Sequence, residues 1–179
     1  AEIRGLLDDI VELTPGQKLV GQALGVCLAM AGGMVITDVP FLEDSPRWFS
    51  HALTFLFVMG AINGVNFYDG MDGLAAGTTL LQLVLIFILA MEGGNGLVAV
   101  TALVICASLV AFLRFNTHPA AIFMGDTGSQ FLGFTVAWLA ISLSQSDASS
   151  VSTLLPLLVL GLPVLDILQV VPVRIKKQL

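Results

Sequence analysis

Apolar residues run along the chain in six blocks that are separated by short polar stretches. A helix that crosses a lipid bilayer needs about 20 mostly apolar residues, and each block approaches that length. The pattern therefore predicts an all-α fold, a polytopic transmembrane helix bundle with about six spanning helices. The predicted helices cover residues 19–36, 49–66, 74–91, 96–113, 129–144 and 151–170.

Composition agrees with a membrane protein. Of the 179 residues, 56% are hydrophobic and only 11% are charged, which is too little charge to cover the surface of a soluble domain. The net charge of −6 excludes the basic surface that nucleic-acid binding requires. The short polar stretches leave no room for a domain boundary, so we expect residues 1–179 to form a single integral-membrane domain.

The polar stretches fall alternately on two sides of the predicted bundle. One side holds residues 1–18, 67–73, 114–128 and 171–179, which carry six of the seven Lys and Arg residues. Because loops rich in Lys and Arg stay in the cytoplasm, this side is predicted to be cytoplasmic.

Three motifs with acidic residues fall on that same side. They are "DDIVE" with Asp8, Asp9 and Glu12, "NFYDGMDG" with Asp69 and Asp72, and "NTHPAAIFMGDTGS" with Asp126. Carboxylates that face one surface repel one another, and the hard cation Mg²⁺ suits oxygen ligands. Glycines let backbone N–H groups approach a ligand closely, and helix N-termini favour phosphate. Metal and phosphate binding at the membrane–cytosol boundary is therefore the functional interpretation.

Each motif also has a simpler interpretation. Asp8 and Glu12 fit a solvated turn before a helix that Thr14 caps and Pro15 begins. Asp69 and Asp72 fit turns made with the glycines that follow them, and Asp126 fits the N-cap of the next helix. Against this, Asn63 and Asn66 lie within an apolar block, where polar side chains are costly unless they have a function.

Taken together, "GLLDDI", "NGVNFYDGMDGLAAG" and "NTHPAAIFMGDTGSQFLGF" resemble the polyprenyl-phosphate N-acetylhexosamine-1-phosphate transferases, the glycosyltransferase family 4 enzymes. This superfamily includes initiators of antigen and teichoic-acid synthesis and phospho-N-acetylmuramoyl-pentapeptide transferase. The resemblance implies about ten or eleven membrane helices and a cytoplasmic active-site cleft. The chain would then be a fragment that lacks N-terminal helices and a C-terminal His-motif loop, and by itself it would be inactive.

The same resemblance implies a reaction and a location. The enzyme would transfer N-acetylhexosamine-1-phosphate from a UDP-sugar to undecaprenyl phosphate, release UMP, and so start cell-envelope polysaccharide synthesis. "SQFLGF" and "LPVLD" favour the antigen and teichoic-acid branch, and hence UDP-N-acetylglucosamine as donor. We expect a multi-pass protein of the bacterial inner membrane, with Mg²⁺ or Mn²⁺ as cofactor and a homodimer as a possible assembly.

The resemblance also implies roles for particular residues. Asp8, Asp9 and Asp126 match the catalytic aspartates, and Asp126 and Asp9 match the metal ligands. Glu12 stands where some relatives have Asp. The residues expected to bind substrate are Lys18, Asn66, Asp69, Asp72 and Asn116.

A membrane transporter with a cytoplasmic-side cation or phosphate site is the alternative function. Transporter sites lie near the bilayer midplane and often belong to inverted repeats. Here the acidic residues gather at one predicted interface, and the chain shows no internal repeat. A non-catalytic scaffold would give no reason for three acidic motifs on one side.

Overall fold

The computed structural model describes residues 14–37, 46–145 and 161, and these form five helices. We label them α1 to α5 in chain order. The all-α prediction is confirmed. Apart from Gly161, the predicted sixth span, 151–170, lies outside the described residues, as do Asp8, Asp9 and Glu12. The helices are α1 (Pro15–Ala31), α2 (Arg47–Tyr68), α3 (Leu74–Glu92), α4 (Gly96–Asn116) and α5 (Gly125–Ser144).

Helix α1 begins and ends earlier than the predicted span 19–36. Thr14 is its N-cap and Pro15 its first residue, as expected. The Thr14 backbone N–H donates to Oε1 of Gln17 at 3.0 Å, one half of a capping box. The helix stops at Gly32, and Gly33 takes a φ of 100°, which favours glycine. Residues 32–36 are therefore not helical, and this part of the predicted span was wrong.

Helix α5 begins four residues before the predicted residue 129. Gly125, with a φ of 69°, is its first residue, and Met124 is its N-cap. Asp126 therefore lies in the first turn of the helix, and the interpretation of Asp126 as the N-cap was wrong. A carboxylate in the first turn is stabilised by the positive end of the helix dipole.

Three of the five described helices, α2, α3 and α4, are long and apolar enough to cross a membrane. Helix α1 is shorter, with 17 residues, and α5 opens with the polar run GDTGSQ. The first turns of α1 and α5 are polar and contribute residues to the site described below. In this they differ from α2, α3 and α4, which are apolar over most of their length.

Helices α2 and α5 approach each other closely at Gly133. A Cβ atom on Gly133 of α5 would lie 2.6 Å from the carbonyl oxygen of Ala61 and 2.7 Å from Cα of Ile62. Only glycine fits there, and the backbones meet as small residues allow in membrane bundles. Helix α3 packs mainly against α4, while α1 lies against α2.

The loops lie alternately at the two ends of the bundle, as the sequence analysis predicted for the polar stretches. At one end lie the first turns of α1, α3 and α5 and the last turns of α2 and α4. At the opposite end, the backbone N–H of Thr37 donates to Oε1 of Gln145 at 2.9 Å. We call the first of these the site end.

Candidate active site

Asp126 lies at the centre of a polar cluster at the site end. Its Oδ2 atom is 2.5 Å from Nζ of Lys18 on α1, and its Oδ1 atom accepts a hydrogen bond from Nδ2 of Asn66 on α2 at 3.1 Å. The Lys18 and Asp126 side chains are 29% and 34% exposed, so solvent reaches both. The structure thus brings together three residues that the sequence analysis placed in the site, from three different helices.

Ser129 completes this cluster, although the sequence analysis did not single it out. Its hydroxyl is buried, accepts a hydrogen bond from Nδ2 of Asn66 at 2.8 Å, and donates to the carbonyl oxygen of Gly125 at 3.1 Å. The spacing from Asp126 to Ser129 is i,i+3, which places both on one helix face. That spacing was the available sequence signal.

Asp69 lies close to the cluster, where α2 ends. Burial, together with the negative charge of Asp126, raises the pKa of Asp69 from 3.8 to about 6, against a hydrogen bond from the Gly125 backbone that lowers it. Two neighbouring carboxylates are oxygen ligands of the kind that divalent cations take, and the predicted metal site stays a prediction. Within the described ranges, however, no group of three or more His, Cys, Asp or Glu side chains is found. Asp9, the second predicted metal ligand, lies outside those ranges.

Asp72 has its partners in the loop between α4 and α5. Its Oδ2 atom is 2.9 Å from Nδ1 of His118 and accepts a hydrogen bond from the backbone N–H of Ala120 at 3.2 Å. These hydrogen bonds lower the pKa of Asp72, the His118 contribution being the larger. Asp72 therefore joins the two loops of the site end, and its predicted role in substrate binding stays a prediction.

Asn116, the last residue of α4, connects the same loops from below the surface. It is only 5% exposed. Its Oδ1 atom accepts a hydrogen bond from the backbone N–H of Gly73 at 3.1 Å, and its Nδ2 atom donates to the carbonyl oxygen of Ile122 at 2.9 Å. Gly73 caps α3 in the left-handed conformation, with a φ of 73°. Asn116 thus fixes the loop geometry, and its predicted substrate contact stays a prediction.

A second polar contact between α1 and α2 lies next to the Asp126 cluster. Nδ2 of Asn63 donates to Oε1 of Gln22 at 3.0 Å and to the carbonyl oxygen of Met59 at 2.8 Å. Gln22 is 5% exposed. The sequence analysis noted Asn63 but missed Gln22, whose spacing of i,i+4 from Lys18 places both on one face of α1.

An apolar cavity of about 560 Å³ borders α1, α4 and α5. Its lining includes Thr127, which follows Asp126, and the aromatic side chains of Phe131, Phe134 and Trp138.

Comparison with known proteins gives a consistent result. The model of the family described as "Glycosyl transferase family 4" matches residues 2–144. The chain is 38% identical to "Probable undecaprenyl-phosphate N-acetylglucosaminyl 1-phosphate transferase" of Bacillus subtilis, over 92% of this chain and 47% of that protein. It is also 38% identical to "Phospho-N-acetylmuramoyl-pentapeptide-transferase" of Oceanobacillus iheyensis, over 78% of this chain and 48% of that protein.

A third relative, "Phospho-N-acetylmuramoyl-pentapeptide-transferase" of Clostridium perfringens, is 32% identical over 79% of this chain and 49% of its own length. The chain thus spans about half the length of the curated relatives it matches. The family match covers most of the chain and includes every described helix, and with the apolar helices it indicates a protein embedded in a membrane. The chain therefore belongs to glycosyl transferase family 4.

Proposed function

We propose that the protein containing this chain transfers N-acetylhexosamine-1-phosphate, most favourably N-acetylglucosamine-1-phosphate, from a UDP-sugar to undecaprenyl phosphate and releases UMP. The single observation that carries this proposal is the Lys18–Asp126–Asn66 cluster at one end of a membrane bundle of this family. The named relatives support the same chemistry, because both kinds act on a phosphate-bearing sugar unit by name.

The residues of the cluster fit a divalent cation. Asp126 and Asp69 bring two carboxylates close together, and Lys18 already supplies a positive charge beside one of them. Oxygen ligands of this kind suit Mg²⁺ or Mn²⁺. Asp126 and Asp9 would hold the ion, which when bound stabilises negative charge on a diphosphate.

The proposed reaction is a direct transfer between the two substrates. A phosphate oxygen of the lipid attacks the β-phosphorus of the UDP-sugar, the bond from that phosphorus to the bridging oxygen breaks, and UMP leaves with the bond electrons. Lys18 holds phosphate oxygens by charge, and the first turn of α5 favours anions near it. Asn66 and Ser129 orient the Asp126 carboxylate by hydrogen bonding. Catalysis of this kind depends on alignment and charge neutralisation.

Asp8 and Asp9 are proposed to approach the lipid phosphate and the cation from the segment before α1. The lipid phosphate needs little help from a base, because the second pKa of a phosphate monoester is about 6 and the group is mostly dianionic at pH 7. Asp8 would therefore act mainly by positioning. The site end would face the cytoplasm of a bacterial inner membrane, where UDP-sugars are made.

The test is a donor panel with the purified full-length protein, undecaprenyl phosphate and Mg²⁺. UDP-N-acetylglucosamine, UDP-N-acetylgalactosamine and UDP-N-acetylmuramoyl-pentapeptide are supplied one at a time, and UMP release is measured. We expect turnover with the first. Asp126→Asn should lower kcat by about 10²–10³-fold, because the charge that organises the site is lost.

The control is Glu92→Gln, which removes a carboxylate of similar size at the opposite end of the bundle. It should leave UMP release unchanged. Near-normal kcat and Mg²⁺ dependence in Asp126→Asn would remove Asp126 from this role. Solute uptake into proteoliposomes without any UMP would instead favour the transporter alternative.

A further inference from the structure

The Gln22–Asn63 contact is a polar pair that the proposed reaction does not use. It joins α1 to α2 through side-chain amides at 3.0 Å, with Gln22 almost fully buried. The Asn63 amide donates its other N–H to the carbonyl oxygen of Met59, so each of its two donors has an acceptor. Loss of the Gln22 amide would leave one of these donors without its partner.

The position of this pair relative to the site is regular. On α1, Gln22 follows Lys18 by four residues, a rise of about 6 Å along the same helix face. On α2, Asn63 precedes Asn66 by three residues. The two helices therefore carry two successive polar layers. In one layer Gln22 contacts Asn63 directly, and in the other Lys18 and Asn66 each contact the carboxylate of Asp126 on α5.

The rest of the α1–α2 contact is apolar. Val26 of α1 packs in a cluster with Phe57, Val58 and Ala61 of α2. Apolar surfaces in a membrane tolerate small sliding movements, because lipid and protein side chains are equally apolar. A single polar pair in an apolar seam, by contrast, specifies the axial register of two helices. The Gln22–Asn63 pair is suited to set how far Lys18 stands from Asp126.

We infer that Gln22 and Asn63 are positioning residues, which lock the register of α1 against α2 and thereby hold the Lys18 ammonium at Asp126. This inference rests on the proposed function in one respect only, that Lys18 serves the reaction. The placement of Lys18 can be measured without turnover.

The first test is a double-mutant cycle in the full-length protein, with Gln22→Met, which keeps the length of the side chain, and Lys18→Met, which removes the ammonium group and keeps an unbranched side chain. Gln22→Met should lower kcat roughly 10- to 100-fold, as a misplacement of about 1 Å does. In the Lys18→Met background the same change should have little further effect, because there is no ammonium left to misplace. Equal fold-losses in both backgrounds would overturn the inference.

The second test needs no activity. Acylation of Lys18 by an amine-reactive reagent is followed by mass spectrometry, with the protein's other lysines as internal standards. Gln22→Met should raise the labelling rate of Lys18, since the ion pair with Asp126 is loosened. The exchanged pair Gln22→Asn with Asn63→Gln should restore slow labelling. Unchanged labelling in Gln22→Met would contradict the inference, even if the wild-type protein released no UMP from any donor.

Thr54→Val is the matched structural control. Thr54 is fully buried on α2, and its hydroxyl accepts a hydrogen bond from the backbone N–H of Ile36 at 2.9 Å, toward the opposite end of the bundle. Its loss should lower the melting temperature without changing Lys18 labelling. If Thr54→Val raises labelling as much as Gln22→Met does, general loosening explains both results and the positioning role is refuted.

Discussion

Two contacts in this bundle are built differently: the three-helix contact of α1, α2 and α5, and the contact of α3 with α4. The first contains an ion pair and a chain of amide and hydroxyl hydrogen bonds. The second is packed mainly from small and aliphatic residues. These include Ala76, Leu83, Ile86, Ala90, Ala99, Ala102 and Cys106.

The difference shows what each contact must achieve. Small residues let two helices approach each other closely in lipid. A small shift in the register of such a contact does not displace any residue of the candidate site. Hydrogen bonds and charges have strict distances, so they fix positions to fractions of an ångström. The α1–α2–α5 contact is polar where it presents Lys18, Asn66 and Asp126 together, whereas the α3–α4 contact is mainly apolar along its length.

The largest difference that we expect between the α1–α2–α5 contact and the α3–α4 contact is in the kcat of variants. Asn66→Ala removes the hydrogen bonds to both Asp126 and Ser129, and it should lower kcat by about 10- to 100-fold, as loss of groups that orient ligands does. Cys106→Ala, in the α3–α4 contact, should leave kcat unchanged. Steady-state UMP release by the full-length protein measures both. Equal losses in the two variants would erase the distinction drawn here.

A smaller effect is expected on stability. Gly133→Ala forces a methyl group against the Ala61 carbonyl, so α5 must move from α2 at a cost of about 1–3 kcal/mol. Gly60→Ala on the same helix pair meets no atom within 4 Å in the described structure, and it should be neutral or stabilising by up to about 1 kcal/mol. Unfolding in detergent measures both. A stable Gly133→Ala protein would show that the close approach of α2 and α5 is wrong.

The smallest effect concerns acid. The hydrogen bonds from His118 and Ala120 lower the pKa of Asp72 below 3.8 in the folded protein. A carboxyl group with a lowered pKa stabilises the fold above its unfolded pKa, and this contribution is lost as the pH falls below about 4. Melting temperature should therefore fall less steeply below that pH in Asp72→Asn than in the wild type. His118→Ala should likewise make the melting temperature fall less steeply with decreasing pH. If both variants lose melting temperature below about pH 4 as steeply as the wild type does, the Asp72–His118 pair does not stabilise the fold.

Much of the fold follows from the sequence where helices are apolar throughout. For α2, α3 and α4 the predicted bounds lie within three residues of the observed ones. For α5 the prediction missed the first turn, because the GDTG run is polar and yet helical. For α1 the apolar span began only after Lys18, and the correct start came from the Thr14 and Pro15 capping pattern instead. Hydrophobicity predicts which residues lie in lipid, whereas a helix that enters a polar site continues beyond that region.

The sequence predicted several residues of the candidate site but not the hydrogen bonds that join them. The motifs placed Lys18, Asn66 and Asp126 at one end of the bundle, and the structure joins them. Gln22 and Ser129 were missed, although each shares a helix face with a predicted site residue, because that spacing does not show which side chain of the neighbouring helix they contact. Asp72 and Asn116 were expected to bind substrate, which stays a prediction, and the structure shows that both accept hydrogen bonds from the backbone of neighbouring loops.

The Lys18–Asp126 pair has a consequence for the protein when no ligand is bound. A carboxylate balanced only by a departing ligand would be left as a lone charge at the edge of the bilayer, which is costly. Here the balancing cation is covalently part of the polypeptide. The charge of Asp126 is therefore balanced within the polypeptide itself, so α1 and α5 can assemble in a membrane without an added cation beside this carboxylate.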